Sequence, residues 1–146
     1  MKTKPIRVMT VVILAAIAPM ALADGHIEIE KAWIRSAPPG TMMLAGYAIL
    51  RNSGDASVVI SGAQSAAFAD VSLHESINEN GVERMRPLGD LTIAPGASMV
   101  FAPNGKHFML MQPQHELKAG ESIKIHLDTK TGTGADAVFV VRDDAP

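Results

Sequence analysis

The chain has 146 residues, 47% of them hydrophobic, with thirteen Lys and Arg against fifteen Asp and Glu and no cysteine. Without a thiolate it can build neither a blue-copper electron-transfer site nor a Cys-based redox or protease mechanism, and a disulfide framework is equally excluded. The mild negative charge speaks against nucleic acid as a partner.

Lys2, Lys4 and Arg7 precede an apolar run from Val8 to Ala18, followed by Pro19 and the small-residue pattern Ala21-Leu22-Ala23. This is the layout of a secretory signal peptide over residues 1–23, cleaved after Ala23, which implies a periplasmic protein. The apolar run is about half of the roughly 20 residues that span a bilayer, so no permanent membrane anchor is expected. A lipoprotein anchor would need a Cys. Residues 24–146 are then expected to form one domain. They hold ten basic residues against fifteen acidic ones, a formal charge of minus five that would weakly attract cations.

From there on, short apolar or alternating segments follow one another, each closed by a turn signal, with no sustained 3.6-residue period. Strands are predicted at Ile27 to Arg35, Leu44 to Asn52, Ser57 to Ala63, Asp70 to Ser76, Val82 to Arg86, Ala97 to Ala102, His107 to Gln112, Ser122 to Thr129 and Ala137 to Arg142. Pro38-Pro39-Gly40, Asn52-Ser53-Gly54, Asn80-Gly81, Pro95-Gly96, Asn104-Gly105 and Gly120 supply the fixed or positive φ that reversals need. Asn80-Gly81, between two alternating runs, predicts a tight hairpin. Thr131 to Gly134 reads as a hairpin tip. An all-β, Greek-key β-sandwich follows.

The chemistry lies in the second half. Ten residues separate His74 from Met85, twenty-one separate Met85 from His107, and Met109 follows one residue later. Successive strand side chains alternate faces. Val71 and Leu73 therefore share one face, with Ser72, His74 and Ser76 on the other. Phe108 and Leu110 share the core face, leaving His107, Met109 and Met111 opposite, and Met85 shares its parity with Glu83. None of the four is a core residue by period. His107 and Met109 project side by side, while His74 and Met85 flank the Asn80-Gly81 hairpin, so four soft, neutral donors can be gathered at the edge of the sandwich. Thioether and imidazole together suit the soft d10 ion Cu(I), whereas Mg and Ca prefer oxygen. A catalytic zinc uses N, O or thiolate ligands with an open position, which two thioethers do not supply.

The same residues carry a resemblance. VSLHESINENGVERMR (Val71 to Arg86), APGASMVFAPNGKHFMLM and LKAGESIKIHL, with AWIRSAPPGTMMLAGYAILRNSGD upstream, resemble the periplasmic copper chaperones of the PCu(A)C type, whose signature is H-x10-M-x21-H-x-M. The likeness covers nearly all of residues 24–146. Ser76 and Glu83 stand where members often carry additional Met residues. The resemblance implies a cupredoxin-like sandwich and a Cu(I) chaperone with His74, Met85, His107 and Met109 as ligands. It also implies an acceptor in the copper-assembly route of a terminal oxidase, such as a cytochrome c oxidase subunit or its assembly factor.

No Ser-His-Asp constellation or paired-carboxylate spacing stands out, and Glu75 reads as a solvated strand residue, so no enzymatic activity is expected. The alternatives are a copper storage or resistance protein and a metal-free interaction module. Met42 and Met43, after the Pro-Pro-Gly turn, and Met111 could bring further thioethers near the site. Met99 reads as packing, His126 as a solvent-facing strand residue, His115 as a loop residue without an identified partner, and Trp33 and Tyr47 as core aromatics. Finally, cleavage after Ala23 would expose Asp24-Gly25-His26, a terminus able to wrap a square-planar Cu(II) with its amine, two amides and an imidazole.

Overall fold

The computed structural model describes residues 24–131 and 134–146. The signal-peptide segment 1–23 and the middle of the predicted tip at 131–134 lie outside them. Ten strands follow in chain order: β1 (Ile27–Arg35), β2 (Met43–Asn52), β3 (Val58–Gln64), β4 (Phe68–Glu79), β5 (Val82–Pro87), β6 (Leu91–Ile93), β7 (Ser98–Phe101), β8 (Lys106–Pro113), β9 (Ser122–Thr129) and β10 (Ala135–Arg142). The fold is all-β, as expected. β1 and β9 match their predicted bounds; β6 was not anticipated.

The strands form one continuous path in the order β5-β4-β8-β2-β1-β10-β9-β3-β6, with β7 added beside β2. All pairs are antiparallel except β1 with β10. Two features bend this path over a shared core. The register slips between Glu30 and Trp33 in β1, where Lys31 has a positive φ, and between Ile60 and Gly62 in β3; such bulges sharpen the local twist. β2 also changes partner along its length, pairing β8 over Met43 to Gly46 and β7 over Ala48 to Arg51.

The enclosed core takes the apolar parity of nearly every strand: Ile34, Leu50, Ile60, Leu110, Ile125, Leu127 and Phe139 are fully buried. Phe108 sits at its centre, 4.8 Å from Phe101 and edge-on to Phe139 at 5.3 Å. Trp33 and Tyr47 are buried as predicted, but outside this cluster. They lie on the opposite parity from Ile34 and stack on each other at 4.8 Å, with the Arg35 guanidinium about 6 Å from both rings. Their burial is therefore a patch on the second face of the sheet, closed by a cation over the rings.

β5 differs from all other strands in that every one of its residues is exposed. Among the described residues it is held by its ladder to β4 and by the surface ion pairs Arg86–Glu75 and Arg84–Glu79. The turn joining β4 to β5 is the one predicted: Asn80 and Gly81 both have positive φ, 55° and 84°, as a two-residue hairpin requires.

Candidate metal centre

Register places the four candidate ligands on adjacent strands of one sheet face. In the β4–β8 ladder His74 is the direct partner of His107, and Ser72 of Met109; in the β4–β5 ladder Ser76 is the direct partner of Met85. Direct partners point to the same side, so Met85, His74, His107 and Met109 share the face opposite Val71, Leu73, Phe108 and Leu110. The parity argument made from sequence holds on all three strands. Ser76 sits beside Met85 within this group.

Burial grades across the face. His107 is 6% exposed and Met85 is 50% exposed, with His74 and Met109 between them. The inner end is rigid because Phe108, pinned in the core, fixes the backbone between His107 and Met109. The outer end rides on the exposed β5 arm.

The two imidazoles are prepared differently. His107 Nδ1 lies 3.0 Å from the Gly105 carbonyl oxygen, which can only accept, so Nδ1 carries the proton and Nε2 keeps its lone pair for a ligand. The same carbonyl accepts from the Ser76 amide, tying the Asn104-Gly105 turn to β4. His74 Nδ1 is buried and has no hydrogen-bond partner. A buried unpaired nitrogen costs on the order of 1–3 kcal/mol, and a metal ion would supply the missing partner. Burial, and then the neighbouring His107, hold the His74 pKa below the ordinary range; Asp70 opposes this. The ring is therefore kept neutral, the state that binds metal. The ring centroids are 6.1 Å apart.

Glu75 is turned away from the site. It faces Arg86 and Lys106, at 2.8 and 3.2 Å, and its carboxyl is held below the usual range by hydrogen bonds from Arg86 and then Lys106. Among the described residues, no three His, Cys, Asp or Glu side chains converge as a metal cluster. The donors that share this face with the two imidazoles are the thioethers of Met85 and Met109, which suit a soft ion.

The other singled-out residues resolve as follows. Met43 and Met111 are direct cross-strand partners on the site face. Met42 shares the parity of Leu44 and lines, with Pro113 and Leu117, a separate cavity of about 250 Å³. Met99 packs against the core, as predicted. His115 does have a partner, Glu121 at 2.6 Å, and His126 is not simply solvent-facing but bonds Asp136 at 2.6 Å. Both pairs border an open groove of about 790 Å³ on the β9 side. The His126–Asp136 contact was readable in principle, because the two are direct partners in the β9–β10 ladder.

The segment Asp24-Gly25-His26 is fastened to the following loop. The Asp24 carbonyl accepts from the amides of Asp55 and Ala56, and the His26 amide donates to Asn52 Oδ1 at 3.3 Å. A Cu(II) chelate at this terminus would have to take that amide away from Asn52.

The LpqE-like family profile matches residues 27–141. This chain belongs to the LpqE-like family. A relative of the LpqE-like chain in Leifsonia xyli subsp. xyli (strain CTCB07), named as lipoprotein Lxx21020, is 32% identical over 130 residues, covering 88% of this chain and 76% of the relative. Among solved structures, the solution structure of CuI-DR1885 from Deinococcus radiodurans is 27% identical with a TM-score of 0.65, over 89% of this chain and 87% of that one. The apo PCuAC domain from PmoF1 is 19% identical with a TM-score of 0.66, over 84% and 98% of the two chains. The copper-bound PCuAC domain from PmoF2 is 21% identical with a TM-score of 0.65, over 84% and 99%. The LpqE-like chain thus has the PCuAC fold, the cupredoxin-like architecture that its sequence resemblance implied.

Proposed function

We propose that this LpqE-like protein is a periplasmic copper(I) chaperone. It binds one Cu(I) through His74, Met85, His107 and Met109 and passes it to an acceptor protein, in the assembly of the copper centre of a cytochrome c oxidase. The observation that carries this reading is the shared face of two His and two Met on β4, β5 and β8, with a buried His74 nitrogen that lacks a partner. The copper named in the structures of CuI-DR1885 and the PmoF2 domain supports the choice of metal. The lipoprotein names of the family and of the Leifsonia relative support an envelope location.

The arrangement suits transfer. Imidazole and thioether are neutral, so the ion keeps its full charge and no ligand has to be protonated when it lets go of the metal. Met85 is the most exposed of the four and sits on the β5 arm, which contributes nothing to the core. It is the ligand an incoming protein can replace first, while His107 and Met109 hold the ion from the rigid end. Exchange of one donor at a time then moves Cu(I) without releasing it to solvent. No catalytic step is assigned to the protein.

The test is anaerobic titration of apo protein with Cu(I) against a competing chelator, followed by mixing with apo acceptor domains. One Cu(I) per chain that moves to an acceptor faster than it dissociates into chelator supports the chaperone. Retention against every acceptor would indicate storage, and absence of Cu(I) binding a metal-free interaction module. X-ray absorption should show mixed sulfur and nitrogen neighbours.

A further inference from the structure

The face that carries the four ligands holds a second row of donors. Register sets Asp70 of β4, Met111 of β8 and Met43 of β2 side by side, since Met111 is the direct partner of both Asp70 and Met43. Met111 is two residues from Met109, with the core residue Leu110 between them, so this row lies on the site face one step along β8. Direct partners place their Cβ atoms about 4.5–5.5 Å apart, close enough for two flexible thioether chains to meet on one ion. Met43 is 49% exposed, so its thioether is accessible from solvent, while Leu44 beside it takes the core face. Asp70 is exposed as well.

We propose that Met43 and Met111, beside the Asp70 carboxylate, form a second and weaker Cu(I) position from which the ion reaches the four-ligand site through Met109. The thioethers supply soft donors, and the carboxylate offsets the charge of the ion, which four neutral ligands do not. The position is weaker because only two soft donors define it. Its placement also gives direction. On β2 the parity of Met43 continues to Tyr47, which stacks on Trp33 beneath the Arg35 cation, a neighbour that repels a cation. Met85 on β5 and Met43 on β2 are both half exposed and lie on different strands of the donor band, so uptake and delivery can use different parts of it.

The inference goes beyond the four-ligand reading and takes from it only Met109 as a ligand. Its test is NMR of full-length mature protein labelled at the Met methyl groups, titrated anaerobically with Cu(I) to two equivalents. The first equivalent should shift the Met85 and Met109 methyls. The second should shift Met43 and Met111 and leave Met99 in place. In a Met43→Leu, Met111→Leu variant the second set of changes, including any further movement of Met109, should vanish while the first persists. Met43 and Met111 methyls that stay fixed through two equivalents overturn the proposal, as does a second equivalent bound equally by the double variant. Shifts at Met43 and Met111 with Met85 and Met109 silent would refute the four-ligand reading and still uphold this second position.

Discussion

His74 and His107 are direct partners across the β4–β8 ladder, their ring centroids 6.1 Å apart, yet the Nδ1 of His107 is hydrogen-bonded to the Gly105 carbonyl whereas the buried Nδ1 of His74 has no partner. Burial, and then the neighbouring His107, disfavour the protonated form of His74. In apo protein His74 should titrate below the ordinary His value of about 6.5. Because its folded pKa is depressed, folding is unaffected by this group above about pH 6.5 and loses stability as pH falls through that value toward the folded one. Cu(I) should accordingly be held at pH values where an ordinary His has begun to protonate. Ring NMR across pH 4 to 8 measures this; His107→Gln should raise the His74 pKa, and a wild-type His74 titrating at or above about 6.5 contradicts the account.

Met85→Leu should separate folding from binding. The side chain is half exposed on a strand with no buried residue, so the substitution should change stability by less than about 0.5 kcal/mol. Loss of the sulfur should weaken Cu(I) binding and abolish one sulfur neighbour in X-ray absorption. A clear drop in melting temperature with unaltered Cu(I) affinity would make Met85 a packing residue instead.

What the sequence disclosed follows from period and spacing. β9 alternates cleanly and β1 is followed by the Pro38-Pro39-Gly40 turn, so the bounds of both were readable, and the parity of His74, His107 and Met109 followed from Leu73, Phe108 and Leu110. β6 was not readable: Leu91-Thr92-Ile93 is too short to show a period. The second-face burial of Trp33 and Tyr47 escaped because a bulge at Lys31, a residue of unremarkable type, shifts the β1 register. The orphaned His74 nitrogen and the Gly105 carbonyl that sets the His107 tautomer depend on three-dimensional neighbours, and no pattern in the chain marks them.

Phe108→Ala should cost about 3–5 kcal/mol, because its fully buried ring contacts Phe101 and Phe139 at the centre of the core. The same ring anchors the backbone between His107 and Met109, so Cu(I) affinity should fall in the fraction that remains folded. Denaturant unfolding of the apo and Cu(I) forms measures both. If the copper-dependent gain in stability matches wild type, Phe108 holds the fold without positioning the site.

Asn52 is a fully buried amide that reads in sequence as part of an Asn-Ser-Gly turn. It donates to the carbonyls of Ala56 and Ile93 at 2.7 and 2.9 Å and accepts from the amides of Gly54 and His26 at 3.0 and 3.3 Å, joining the first segment, the β2–β3 loop and β6. Asn52→Leu leaves those groups unpaired and should destabilise by on the order of 2–4 kcal/mol. Cu(I) affinity should be unchanged, because the site lies on other strands. A variant of wild-type stability would mean that water replaces the amide at no cost.

The hold of Asn52 on the His26 amide also bears on the amino terminus. A Cu(II) chelate beginning at Asp24 needs the Gly25 and His26 amides deprotonated and turned toward the metal, while the folded chain directs the His26 amide to Asn52 and the Asp24 carbonyl to Asp55 and Ala56. Protein starting at Asp24 should therefore bind Cu(II) more weakly than the free peptide Asp-Gly-His, which has no such bonds to break. Asn52→Ala should narrow the difference by releasing the His26 amide. Adding one Ser before Asp24 moves the imidazole to fourth place and should abolish the square-planar visible spectrum in both backgrounds. Competition between protein and peptide for Cu(II), read from that spectrum, decides the matter: equal affinities would show that the fold does not restrain the terminus, and a spectrum insensitive to the added Ser would place Cu(II) elsewhere.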